Sequence, residues 1–136
     1  MAKIEYEKKI IRQFLEKVEF FIPNDLNEIQ GSLKMEDSIQ VKSAKEDIIE
    51  LTIKRELMFE PNNNIKIYCE FAVLIDNNEN ITKEIIKKDI KNEKLDFLLV
   101  NVFSDISLII ANITKHSMLD TLITLPGTIY KNLKID

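Results

Sequence analysis

The chain has one histidine, His116, one cysteine, Cys69, and two glycines, Gly31 and Gly127, and these scarcities limit the reactions its side chains can support. His116 is the natural general base at neutral pH, with Ser117 and Asp120 close to it in sequence. Hydrolysis would need them arranged as base, nucleophile and orienting acid around one reacting atom. A histidine near the end of a long helix has a simpler reading, because the partial negative charge there favours imidazolium. Cys69 stands in a run of alternating apolar residues, where a thiol packs as a small hydrophobe. With one cysteine and one distant histidine there is no zinc ligand set, and a lone cysteine excludes an intrachain disulfide. The acids Glu36-Asp37, Glu46-Asp47 and Asp76 read as solvated groups at turns and strand edges. A calcium loop requires a central glycine that residues 76–80 lack. A phosphate-cradling loop requires a glycine-rich run, which is also missing. The expectation is a non-enzyme with no catalytic residue, metal or cofactor.

Any such groups would be positioned by a chain of 136 residues, the size of a single domain, with residues 1–13 as a lead-in whose structure the pattern leaves open. Charges alternate through the N-terminus where a signal peptide would be apolar. The longest apolar stretch, 95–113, is interrupted by Asp96, Asn101, Ser104, Asp105 and Asn112. No membrane insertion and a cytoplasmic location are expected, and the single cysteine fits a reducing compartment. Nineteen basic and twenty-three acidic residues give a net charge of −4, mixed along the chain, which argues against nucleic acid as a partner. The lysine-rich tract 83–91 also contains acids and reads as a solvated helix face.

Hydrophobic period divides the chain into strands and then helices. Ile10, Ile11, Phe14, Leu15 and Val18 fit helical spacing, but from residue 16 the pattern becomes two-fold through Val18, Phe20 and Ile22, ending at Pro23-Asn24-Asp25. Gly31-Ser32 reads as a turn. Residues 33–43 form a weaker strand with Ile39 and Val41 inward, and 47–60 a stronger one with Ile49, Leu51 and Ile53 on one face. After a turn at Pro61 and residues 62–64, the clearest strand, 65–75, places Ile65, Ile67, Cys69, Phe71, Val73 and Ile75 together. Short connections imply antiparallel hairpins. The period then changes: a short helix over 82–91, capped by Asn80 or Thr82, precedes a long one over 93–115. The expected fold is α+β, a four-stranded antiparallel sheet with a short and a long C-terminal helix packed on one face. Residues 122–130 read as extended or loop structure.

The long helix carries Leu95, Leu98, Leu99, Val102, Phe103, Ile106, Ile109, Ile110 and Ile113 as a continuous stripe, widened by Phe97, Val100, Leu108 and Ala111. A helix apolar round this much of its circumference is covered on two sides, and a second subunit is the natural second cover. Phe97, Val100, Phe103, Leu108 and Ala111 are therefore the expected oligomer interface. Which of the two faces meets the sheet is open from sequence alone.

In this arrangement the chain resembles the SecB family of export chaperones. The resemblance is carried by 15–20 before the opening strand, by the strand pair through Phe71, and above all by 99–114, which looks like the family's long helix. Leu125-Pro126 looks like its closing leucine-proline. The similarity covers about 14–133, although Ser117 and residues 118–121 replace the family's glycine-phenylalanine-proline-proline segment. It implies an ATP-independent holdase that binds unfolded client polypeptides in apolar grooves, as a homodimer or homotetramer, with the translocation ATPase as a further partner. Relatives that serve toxin–antitoxin pairs imply the alternative of an adaptor binding one specific partner. A holdase needs an apolar surface with a polar rim. Phe21, Tyr68, Leu74, Ile123, Leu125, Ile129 and Tyr130 are the expected client-binding residues, where a sheet face would meet the tail. The simpler reading of any single one of them is that it packs beneath that tail.

Overall fold

The computed structural model describes residues 4–21, 31–61, 66–117 and 121–136. Apolar residues at every second position build β2 (Gly31–Ala44), β3 (Ile48–Pro61) and β4 (Lys66–Asp76). Ile39 and Val41, then Ile49, Leu51, Ile53 and Leu57, then Ile67, Cys69, Phe71, Val73 and Ile75, are all buried on one face. These are the inward residues that alternation requires. Gly31 and Ser32 open β2 and do not form a turn. The expected turns at 23–25 and 62–64, together with Ile65 and residues 118–120, lie outside the described residues.

The described part of the lead-in leads into a strand. After a single 3-10 turn at Tyr6–Lys8, β1 (Ile10–Phe21) pairs antiparallel with β4 along its length. Its register shifts between Ile10 and Arg12 and again between Leu15 and Lys17. Two extra residues therefore place Ile10, Gln13, Leu15, Val18 and Phe20 opposite the inward residues of β4. That irregular spacing imitates a helix in the sequence.

The sheet has five strands in the order β1-β4-β3-β2-β5, with four antiparallel strands and a short β5 (Lys134–Ile135) parallel to β2. It corrects the four-stranded antiparallel expectation. β5 is held by Asp136 N donating to Ile39 O at 2.9 Å and Val41 N donating to Asp136 O at 2.8 Å. Two residues are too few to leave a period in the sequence.

Two helices lie on the apolar face. α1 (Lys83–Lys91) packs against β2, capped by Thr82, whose hydroxyl accepts from Ile85 N. It stops at Glu93, which takes a left-handed φ of 62°, while Lys94 N reaches back to Asp89 O at 3.0 Å. This is the Schellman stop usually given to glycine. α2 (Asp96–Ser117) therefore begins three residues later than the expected 93, and packs on β4 and β3. Residues 96–115 are long and apolar enough by composition to cross a bilayer. Here Leu98, Leu99, Val102, Phe103, Ile106 and Ile110 join the sheet residues in one core cluster. The N-terminus is tied to α1 by the buried Tyr6 hydroxyl, which donates to Asp89 Oδ2 at 2.5 Å.

Candidate functional site

Inward parity on β3 places one charged residue among Ile49, Leu51, Ile53 and Leu57: Arg55, which is fully buried. Directly across the β2–β3 ladder stands Asp37, also buried, and not the solvated acid that its neighbours in sequence suggest. The two meet as a fork. Arg55 Nε donates to Asp37 Oδ1 at 2.7 Å and Nη2 to Oδ2 at 2.9 Å. The ring of Phe103 from α2 covers the guanidinium at 4.9 Å. A buried ion pair is tolerable only when its remaining donors are satisfied, and the C-terminal segment supplies the acceptors. Nη1 donates to Thr124 Oγ1 at 3.0 Å and to Leu125 O at 2.5 Å, and Nη2 to Gly127 O at 2.6 Å. Thr128 closes the circuit by donating its hydroxyl to Asp37 Oδ2 at 2.9 Å. All five N–H groups of the guanidinium are used.

The same segment is fastened to α2 along a stripe of small residues. Val100, Ser104, Ser107, Ala111 and Thr114 recur at helical spacing on one flank. Ser104 Oγ donates to Pro126 O at 2.9 Å, Ser107 Oγ to Thr124 O at 2.8 Å, and Leu122 N to Thr114 Oγ1 at 2.8 Å. The tail thus runs antiparallel to the helix. From Thr114 to Ser104 the helix rises roughly 15 Å, and four extended steps from Leu122 to Pro126 span about 13 Å. The match explains why an extended strap, and not another helix, fits there. Its hydrogen bonds go to main-chain groups and two threonine hydroxyls, and Leu122 packs half-buried against the core. Ile123 and Leu125 are left 75% and 41% exposed, and Leu108 on α2 is 64% exposed.

This geometry regroups the candidates. Ile123, Leu125 and Ile129 are exposed on the strap. Tyr130 is half-buried against the core, and its hydroxyl donates to Asp96 Oδ1 at 2.7 Å. Burial and that carboxylate raise the tyrosine's pKa and keep the donor protonated. Val100 and Leu108 are exposed on α2, Ala111 is half-buried on the stripe, and Phe97 is half-buried against the core. Five of the expected client and oligomer residues, Val100, Leu108, Ile123, Leu125 and Ile129, are thus exposed on α2 and on the strap fastened along it. Phe103 does not belong to it: fully buried over Arg55, it is closed to any partner.

Phe21, Tyr68 and Leu74 lie elsewhere. Their ladder positions put them on the opposite, helix-free face of the sheet. The strap does not meet that face, because Arg55 holds it on the helix side. Tyr68 is flanked there by Lys17 Nζ at 5.7 Å and Lys54 Nζ at 6.0 Å, and donates to Glu70 Oε1 at 3.0 Å. Burial and Glu70 raise its pKa. Burial likewise pushes the Cys69 thiol up to about 11, against the opposing pull of Arg55, so the thiol is protonated at neutral pH. Among the described residues no cluster of three or more His, Cys, Asp or Glu could hold a metal ion. α2 extends through His116, whose side chain lies outside the described residues, as does that of Ser117.

Arg55, Asp37, Ser104, Ser107, Thr114, Thr124 and Thr128 carry the site, and none was a sequence candidate. A signal for the first two was present: opposite charges at inward parity in adjacent strands.

An α+β unit with a five-stranded sheet, a long apolar helix on one face and a strapped tail is a SecB-like fold. A solved structure with this fold is Mycobacterium tuberculosis Rv1957, a SecB-like chaperone in complex with a ChAD peptide from the Rv1956 HigA1 antitoxin. It superposes with a TM-score of 0.57 over 88% of this chain and 87% of that one, at 13% sequence identity. No family model matches the chain, and no curated protein sequence is similar to it.

Proposed function

We propose that this protein is a non-catalytic polypeptide-binding chaperone of the SecB-like type, which holds extended apolar segments of client chains along the outer flank of α2 without ATP. One observation carries the reading. The fold already binds such a segment there, its own tail, chiefly through the main chain, with Leu122 packed against the core and Ile123 and Leu125 left at the surface. Such a mode is indifferent to most of the client's sequence, as a holdase requires. Covering Leu108, Val100 or Leu125 with a client side chain contributes on the order of 1.5–3 kcal/mol each if burial is complete.

The proposal extends to a cytoplasmic protein of one domain, assembled as a homodimer or homotetramer, with neither nucleic acid nor membrane as a partner. Engagement of the translocation ATPase belongs to the export form of this reading. A second form, an adaptor for one specific partner, is supported by the antitoxin peptide held by the M. tuberculosis neighbour. Suppression of aggregation of several unrelated denatured proteins tests the holdase. The Val100→Ser/Leu108→Ser pair should weaken it at least about tenfold with an unchanged melting temperature, since both side chains are exposed. Activity toward a single partner alone would favour the adaptor, and failure with every polypeptide would end both.

A further inference from the structure

The strap occupies a slot whose hydrogen bonds go to main-chain groups and two threonine hydroxyls. On the slot side stand Arg55 and Asp37 from the sheet and Ser104, Ser107 and Thr114 from α2. On the strap side they meet the carbonyls of Thr124, Leu125, Pro126 and Gly127, the amide of Leu122, and the hydroxyls of Thr124 and Thr128. No apolar side chain of the strap takes part in these bonds. An empty slot would hand three hydrogen bonds of the guanidinium over to water and open the ion pair that the strap now covers. Any extended chain entering the slot must supply those acceptors again, since a charged donor buried without a partner is costly.

We infer that the slot is a client site in which residues 121–128 are a resident competitor, displaced in exchange by an extended client segment carrying two Ser or Thr residues four positions apart. This rests on the polypeptide-binding reading above and names the client chemistry for it. The hydroxyl spacing follows from the two positions where the slot contacts a side chain: Thr124, which accepts from Arg55, and Thr128, which donates to Asp37. Between them the slot takes carbonyls only, and Pro126 lies within this stretch without an N–H to lose. A tethered competitor acts at an effective concentration in the millimolar range, so it sets a threshold that weak or poorly matched clients fail to cross.

The experiment keeps the slot intact and weakens only the strap. A labelled peptide copying residues 121–131 is titrated by fluorescence anisotropy into the full-length protein and into its Thr124→Val/Thr128→Val variant. The peptide is expected to bind the variant at least about tenfold more tightly than the wild type. A peptide with the same two valines should lose that gain. Equal binding to both proteins, or equal binding by both peptides, overturns the inference. The wild type provides a second measurement that does not depend on the variant folding. With reduced, carboxymethylated α-lactalbumin bound, the Leu122 amide, now held by Thr114 Oγ1, should lose its hydrogen-exchange protection. If the unfolded protein binds while Leu122 stays protected, the exchange is wrong and the broader reading survives. If α-lactalbumin binds neither protein, both are wrong.

Discussion

On the helix face of the sheet, Arg55 and Asp37 pair with side chains 0% and 4% exposed, whereas on the opposite face Glu19 takes both Lys17 and Lys66, with all three side chains 41–54% exposed. The residue chemistry is similar and the consequences are opposite. In water the attraction is screened and either partner can exchange for solvent, so such pairs contribute little. In the interior each charge must find every acceptor or donor it needs, and the arrangement becomes all-or-none. The buried pair therefore decides where sixteen residues of tail go, from Thr121 to Asp136. The exposed pairs keep the outer face charged and decide no topology.

Breaking the buried pair should have the largest effect. Arg55→Met leaves Asp37 without its fork and the strap without three donors, and should lower unfolding free energy by about 3–5 kcal/mol in urea denaturation. Pairing it with Asp37→Leu should restore a large part of that stability while leaving the strap unseated. That result would separate the cost of an orphaned charge from the role of the pair as a latch.

Tyr6→Phe tests another buried polar contact on the helix side. It removes the donor to Asp89 and should cost about 1–3 kcal/mol, read in the same denaturation assay. Glu93→Gly should go the other way. Relieving the left-handed φ should stabilise the protein by about 1 kcal/mol, partly offset by glycine's greater freedom in the unfolded chain.

Glu19→Gln, on the exposed face, should leave the denaturation midpoint unchanged within error. The hydrogen bonds from Lys17 and Lys66 hold the Glu19 carboxyl below its ordinary value. Its favourable contribution is therefore present above the ordinary glutamate range and lost as pH falls through the folded value. Screening by solvent keeps that contribution small, so wild type and variant should show the same stability profile from pH 7 down to about 4. A clear divergence between the profiles would overturn the contrast between the two faces.

Much of the sheet is legible in the sequence because β2, β3 and β4 alternate with a period of two, and α2 because its stripe repeats over about five turns. β1 is harder to read, since two register shifts turn alternation into the spacing 10, 13, 15, 18, 20. The boundary between the helices is blurred because Glu93 stands where a glycine would mark the stop. The candidate surface is half legible. Apolar residues on the tail and on the long helix stand out by type, but their adjacency depends on a strap whose bonds go to carbonyl groups, and main-chain acceptors are the same at every residue.

The amino-acid sequence by itself determined the α+β class, the inward faces of three strands and the long apolar helix. Those follow from local periodicity and composition, which every stretch of chain carries within itself. Only the tertiary structure decided that Phe103 is interior, that Tyr68 and Leu125 lie on opposite sides of the sheet, and that the tail returns along α2. Those outcomes depend on Arg55 meeting acceptors seventy residues away, a condition satisfied in space and invisible in any local window.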